Sequence, residues 1–119
     1  MEHRHRFLQK HHLKSPREFD IVYAARQSIS DDCLILYAKE NTLGYSRVGL
    51  SVGKKLGSAV ARNRYKRCLR EAFRLCRQEL QGNCDHVLIP RRSRTATTAQ
   101  YCHSLKTLSQ RLQRRHSKT

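Results

Sequence analysis

The chain has 119 residues, with 25 Lys and Arg against nine Asp and Glu, for a formal net charge of +16. That length supports one domain with one modest core, and so large a positive excess repels itself in a compact fold and calls for a polyanionic partner. No apolar run reaches the length of a membrane-spanning helix, and Met1-Glu-His-Arg-His-Arg6 lacks the apolar stretch of a secretion signal, so a cytoplasmic location without a membrane partner is expected.

Residues 1–14 are polar and basic without periodicity and read as a flexible arm. Its His3, His5, His11 and His12 are expected to add pH-dependent phosphate affinity rather than to hold a metal. The folded domain is expected over 15–115, with 116–119 as a tail. Ser15-Pro16-Arg17-Glu18 is a helix start: Ser15 can cap exposed N–H groups, Pro16 suits the first helical position and Glu18 completes a capping box. The helix should run to about Arg26, with Phe19, Val22 and Tyr23 on one face.

A weak extended segment around Ser28–Ser30 precedes the apolar run Cys33-Leu-Ile-Leu-Tyr-Ala38, which reads as a strand ending in the turn-prone Asn41-Thr-Leu-Gly44. From Arg47 to Lys54 the pattern alternates, with Val48, Leu50 and Val52 on one side and Gly49, Ser51 and Gly53 on the other. The second side is almost bare, so either a helix packs closely there or a ligand backbone can approach the sheet.

Gly57-Ser58 should open a central helix that Gly82-Asn83 closes. On a wheel of about 100° per residue, Tyr65, Leu69, Ala72, Cys76 and Leu80 form an apolar stripe, while Lys66, Arg67, Arg70, Arg74 and Arg77 share an arc on the far side. Arg67 to Arg77 would span about 15 Å, a length suited to several successive phosphates. A solvated helix face normally mixes its charge signs, and only Glu71 and Glu79 interrupt this one. His86-Val-Leu-Ile89 is a further strand stopped by Pro90. Thr97 and Gln100 suggest another capping box, followed by a helix with the seam Tyr101, Leu105, Leu108 and Leu112. The order α-β-β-β-α-β-α describes one α+β domain with helices on a small mixed sheet.

Two catalytic readings fail on spacing. Gly49 to Lys55 has P-loop character, but its glycine spacing is one residue short and Lys55 stands where a magnesium-binding Ser or Thr belongs. The nine carboxylates are scattered, without the clustering of a metal-dependent nuclease, so neither catalytic residues nor a protein-bound metal is expected. The five cysteines form an odd set without a CxxC pair, and Cys68 and Cys76, on or beside the apolar stripe of the central helix, read as small hydrophobes. On composition alone, a structural protein of the ribosome and a duplex-DNA binder are both open readings.

The segment Arg47-Val-Gly-Leu-Ser-Val-Gly-Lys-Lys-Leu-Gly-Ser-Ala-Val-Ala-Arg-Asn-Arg-Tyr-Lys-Arg-Cys-Leu-Arg-Glu-Ala-Phe73 resembles the signature of the bacterial ribonuclease P protein family. The likeness extends outward to Phe19, Val22 and Tyr23 and to Leu34-Ile-Leu-Tyr37. It implies a fold with a left-handed β-α-β crossover. It also implies partnership with a catalytic RNA that uses magnesium to remove the 5′ leader of precursor tRNA, with no obligate protein partner. By the same resemblance Arg62, Asn63, Arg64, Lys66, Arg67, Arg70 and Arg74 would face RNA, flanked by Lys54 and Lys55. Phe19, Tyr23 and Tyr37 would line a cleft for leader nucleotides, where unpaired bases stack on aromatic rings.

Overall fold

A computed structural model describes residues 9–80, 83–92 and 96–117 of the chain. The elements are α1 (Pro16–Ala24), β1 (Ser28–Ser30), β2 (Leu34–Glu40), β3 (Arg47–Leu50), α2 (Ala59–Cys76), β4 (Cys84–Pro90) and α3 (Thr98–Ser117), the predicted α+β order. Short 3-10 turns occupy Gln9–His11, Lys54–Leu56 and Arg77–Glu79. The four strands form one mixed sheet in the order β1-β2-β4-β3. β1 and β2 pair antiparallel, as do β2 and β4, whereas β3 runs parallel to β4 and reaches it through α2.

Strand periodicity assigns the two faces of this sheet. Leu34, Leu36, Val48 and Leu88 point to the side covered by Leu69, Ala72, Phe73 and Cys76 of α2 and by Tyr101, Leu105 and Leu108 of α3. Val87 points to the opposite side, where it packs with Val22, Phe19 and Tyr23 of α1 and with Leu13. The result is three layers, with α1 alone on one face and the α2–α3 pair on the other. β4 lies between β2 and β3 and is the most buried strand.

The local signals at helix ends act as the sequence suggests. The Ser15 hydroxyl accepts from the Glu18 N–H, and the Glu18 carboxylate accepts from the Ser15 N–H at 3.1 Å. Thr97 and Gln100 make the same reciprocal pair, at 2.8 and 3.2 Å. Gly57 has φ of 123°, a conformation that side-chain-bearing residues rarely adopt, and Ser58 then caps α2 through the Ala61 N–H.

Several boundaries differ from expectation. Residues 9–14 do not belong to a flexible arm: His11 and Leu13 are buried, and Leu13 donates its N–H to the Val48 carbonyl at 2.9 Å. This segment covers the outer edge of β3, whose ladder groups would otherwise stay unpaired. Residues 1–8, including His3 and His5, lie outside the described residues. α1 stops at Ala24, because Arg26 turns into the left-handed region at φ 55° and cannot continue it. β3 ends at Leu50 with one further bond from the Ser51 N–H, since Lys54–Leu56 winds into a 3-10 turn. The central helix keeps α geometry only to Cys76 before tightening to 3-10, and Gly82 lies outside the described residues. β4 begins at Cys84 and includes Pro90, which pairs with Leu34. α3 continues to Ser117, so no separate tail starts at residue 116.

Candidate nucleic-acid interface

The apolar stripe of α2 fixes where its cations point. Leu69, Ala72 and Cys76 are fully buried, Leu80 nearly so, and Tyr65 half-buried; Phe73, which lies just off the predicted stripe, is also fully buried. Asn63, Arg64, Arg67 and Arg70 consequently face solvent, while Arg62 and Lys66 are half-buried. Lys54 and Lys55 stand exposed on the 3-10 turn just ahead of the helix. Arg74 differs from the others, because Glu71 one turn back accepts from its Nε at 3.0 Å and pairs with its Nη2. Among the described residues no carboxylate ion pair engages Arg62, Arg64, Lys66, Arg67 or Arg70, so their positive charge remains available to an external polyanion.

The aromatic residues meet on the other face of the sheet. Tyr23 and Tyr37 form an edge-to-face pair with ring centroids 4.9 Å apart at 84°. Phe19, one turn earlier on α1, lies over Gly49: a Cβ at that position would sit 2.4 Å from the Phe19 ring tip and 3.0 Å from Leu13. The bare strand face therefore takes close helix packing at one of its positions. At Gly49 it receives side chains from α1 and the N-terminal segment, whereas at Gly53 nothing lies within 4 Å. All three rings are half-buried, each with one surface in the α1 packing and the remainder facing solvent.

Two features bind these regions into one unit, and neither is visible as a sequence motif. Residues 9–13 run along β3 between the basic helix and the cleft: His12 bridges to Val48 and lies near Arg70, while Leu13 touches the Phe19–Gly49 contact. Burial, together with Arg77, Lys10 and His12, pushes His11 down to about 4, and burial, Arg70 and Lys14 lower His12. Both shifts favour the neutral ring in the protein alone. Lys10 instead supplies a cation 4.6 Å above the Tyr45 ring.

The second feature is the Arg47 fork. It donates to both Asp85 oxygens, at 2.8 and 2.7 Å, and through Nη1 to Glu18 at 3.0 Å. Asn41 adds a bond to Asp85 at 2.8 Å. Burial works to raise the Asp85 carboxyl, but the bonds from Arg47 and Asn41 outweigh it and leave the pKa lowered. Glu18 is lowered first by its bond from the Lys14 N–H, with Arg47 adding to the effect. One carboxylate thereby caps α1 and ties it to β3 and β4, which holds Phe19 and Tyr23 against the sheet.

Among the described residues, no three His, Cys, Asp or Glu side chains gather into a metal-binding group. No helix among them is long and apolar enough to cross a membrane. All five cysteines are free: Cys33, Cys76 and Cys84 are buried, while Cys68 and Cys102 are half-buried.

With this geometry in place, comparison with known proteins is specific. The Ribonuclease P family model matches residues 7–113. The ribonuclease P protein component of Chromobacterium violaceum is 44% identical over 95 residues, covering 79% of this chain and 75% of the relative. That of Clostridioides difficile is 39% identical over 101 residues, covering 83% and 89%. Among solved structures, a Staphylococcus aureus RNase P protein mutant superposes with a TM-score of 0.76 at 29% identity, over 88% of this chain and 90% of that one. The Thermotoga maritima RNase P protein gives 0.73 at 28% identity, over 84% and 96%.

Proposed function

Because the chain belongs to the ribonuclease P protein family, we propose that it is the RNA-binding subunit of a ribonucleoprotein that removes the 5′ leader of precursor tRNA in the cytoplasm. Family membership favours this class over the ribosomal protein and the duplex-DNA binder left open by composition. The observation that carries the reading is the arrangement about the β3 edge: an unpaired row of cations on α2 to one side, and three half-buried aromatic rings to the other.

The basic row formed by Arg62, Arg64, Lys66, Arg67 and Arg70, with Asn63, Lys54 and Lys55, holds the phosphates of the catalytic RNA. Its affinity comes largely from released counterions and therefore falls with salt. Phe19, Tyr23 and Tyr37 take the single-stranded leader, whose bases stack without sequence preference at about 1–3 kcal/mol each. Gripping both RNAs raises their effective concentration for one another, which is the protein's contribution to rate. Magnesium held by the RNA would supply the hydrolytic chemistry, and no step is assigned to a side chain of this protein.

The test has two arms. Sequencing the RNA that co-purifies with the tagged protein should recover the catalytic RNA, and adding the protein to that RNA should raise precursor cleavage at limiting magnesium. Equal cleavage with and without protein would remove the proposal. The double reversal Arg67→Glu with Arg70→Glu should weaken assembly, and unchanged affinity for both RNAs would exclude the basic helix from binding.

A further inference from the structure

Beside the first two turns of α2 lies a cleft of about 340 Å³ that is separate from the aromatic cleft and shares only Arg64 with the basic row. Its walls include Leu56, Val60, Arg64, Tyr65, Cys68 and Ala96, so it is mainly apolar with one aromatic ring and one guanidinium at hand. That volume lies at the lower end of small-ligand sites, and the mixture of apolar wall with few polar groups is typical of them. Val60 is 80% exposed, the most open of the large hydrophobic residues on the described surface. The buried Tyr101 hydroxyl belongs to the same neighbourhood, near Tyr65 and Cys68, and has no hydrogen-bond partner among the described residues.

The cleft is continuous with the cationic face. On a wheel of about 100° per residue, Val60 and Arg64 fall between Arg67, at the edge of the basic arc, and the Cys68–Tyr65 wall. An RNA strand whose phosphates lie along Arg67 and Arg70 therefore passes the mouth of this cleft. A nucleobase matches it in kind: its flat faces suit Tyr65 and the aliphatic wall, and the Arg64 guanidinium can stack on it or donate to its edge. We propose that this cleft captures one unpaired nucleobase of the catalytic RNA, an anchoring contact distinct from the phosphate row and from the leader cleft. The proposal rests on the RNA-binding role above and adds to it a stacking contact that does not depend on counterion release.

That independence provides the test. Affinity for the catalytic RNA is measured across a salt series for the wild type, Tyr65→Leu, Tyr65→Phe and Val60→Asn, all of equal charge, with thermal midpoints recorded alongside. Tyr65→Leu is expected to weaken binding about tenfold with an unchanged log–log salt slope, while Tyr65→Phe stays within about twofold of wild type. Val60→Asn, a substitution at an exposed position that leaves the core intact, is expected to weaken binding about threefold, and it carries the test if Tyr65→Leu fails to fold. A single-stranded leader oligonucleotide should bind all four proteins equally. Unchanged RNA affinity in the folded variants, a loss accompanied by a shallower salt slope, or a loss confined to the leader would each overturn the proposal. A wild-type protein that binds no RNA would remove the RNA-binding role itself, and the base pocket with it.

Discussion

Gly49→Ala is the sharpest probe of the cleft, because it adds one methyl group where the structure has no space. The new Cβ would stand 2.4 Å and 2.7 Å from two Phe19 ring atoms and 3.0 Å from Leu13. Phe19 must withdraw by roughly 1 Å to regain ordinary contact. The ring is half-buried on α1 and can swing toward solvent, so the stability cost should fall near the lower end of overpacking penalties, about 1–2 kcal/mol. Leader binding should suffer as well, by about five- to tenfold, because the displaced ring no longer presents its stacking face. Urea unfolding and anisotropy with a labelled single-stranded leader measure the two effects. In a Phe19→Ala background the same glycine substitution should cost less than half as much, since only the Leu13 contact remains. Additive stability costs, or a Gly49→Ala protein with unaltered leader affinity, would refute the reasoning.

Three other expectations follow from named contacts. Arg67→Gln should make the salt dependence of RNA binding shallower by about 0.7–0.9 in log–log slope, whereas Arg74→Gln should change it less because Glu71 already holds that guanidinium; equal changes would contradict the pairing. Burial pushes His86, 1% exposed and with its Nδ1 3.3 Å from the Arg47 carbonyl oxygen, down to about 4. Unfolding frees this ring to take a proton, so its contribution is complete above about pH 6.5 and is lost as pH falls toward 4, amounting to about 3 kcal/mol. His86→Met should therefore lose less thermal stability than wild type between pH 7 and 4.5, and equal losses would show that the ring does not drive the acid response. Ser15→Ala removes the α1 cap and should cost about 1 kcal/mol in urea unfolding, with a change under a few tenths speaking against the capping geometry.

The fold was readable where a local rule governs. Both capping boxes, the α2 stripe and the α3 seam rest on residues within fifteen positions of one another, and each forms as the spacing predicts. The Arg47 fork was not readable, since Glu18 and Asp85 lie 29 and 38 positions away and meet it only after the sheet has formed. His11 and Leu13 share that difficulty. Two residues inside a charge-rich segment carry no period, and what buries them is the edge of β3 rather than a pattern of their own. Of the site, Lys66, Arg67 and Arg70 were legible from helical spacing, whereas Arg62, Asn63, Arg64 and the aromatic trio entered by family resemblance. The structure adds the contact that organises the trio: Gly49 leaves room for Phe19, and Tyr37 faces α1 because Leu34, Leu36 and Ala38 fill the other side of β2.

Placing β4 between β2 and β3 also has a consequence for synthesis. Neither flanking strand can pair with β4 until residues 84–90 have left the ribosome, so early pairing is limited to the β1–β2 hairpin. By then the whole of α2 has emerged, with its apolar stripe uncovered and its cations already displayed to a ribosome built largely of nucleic acid.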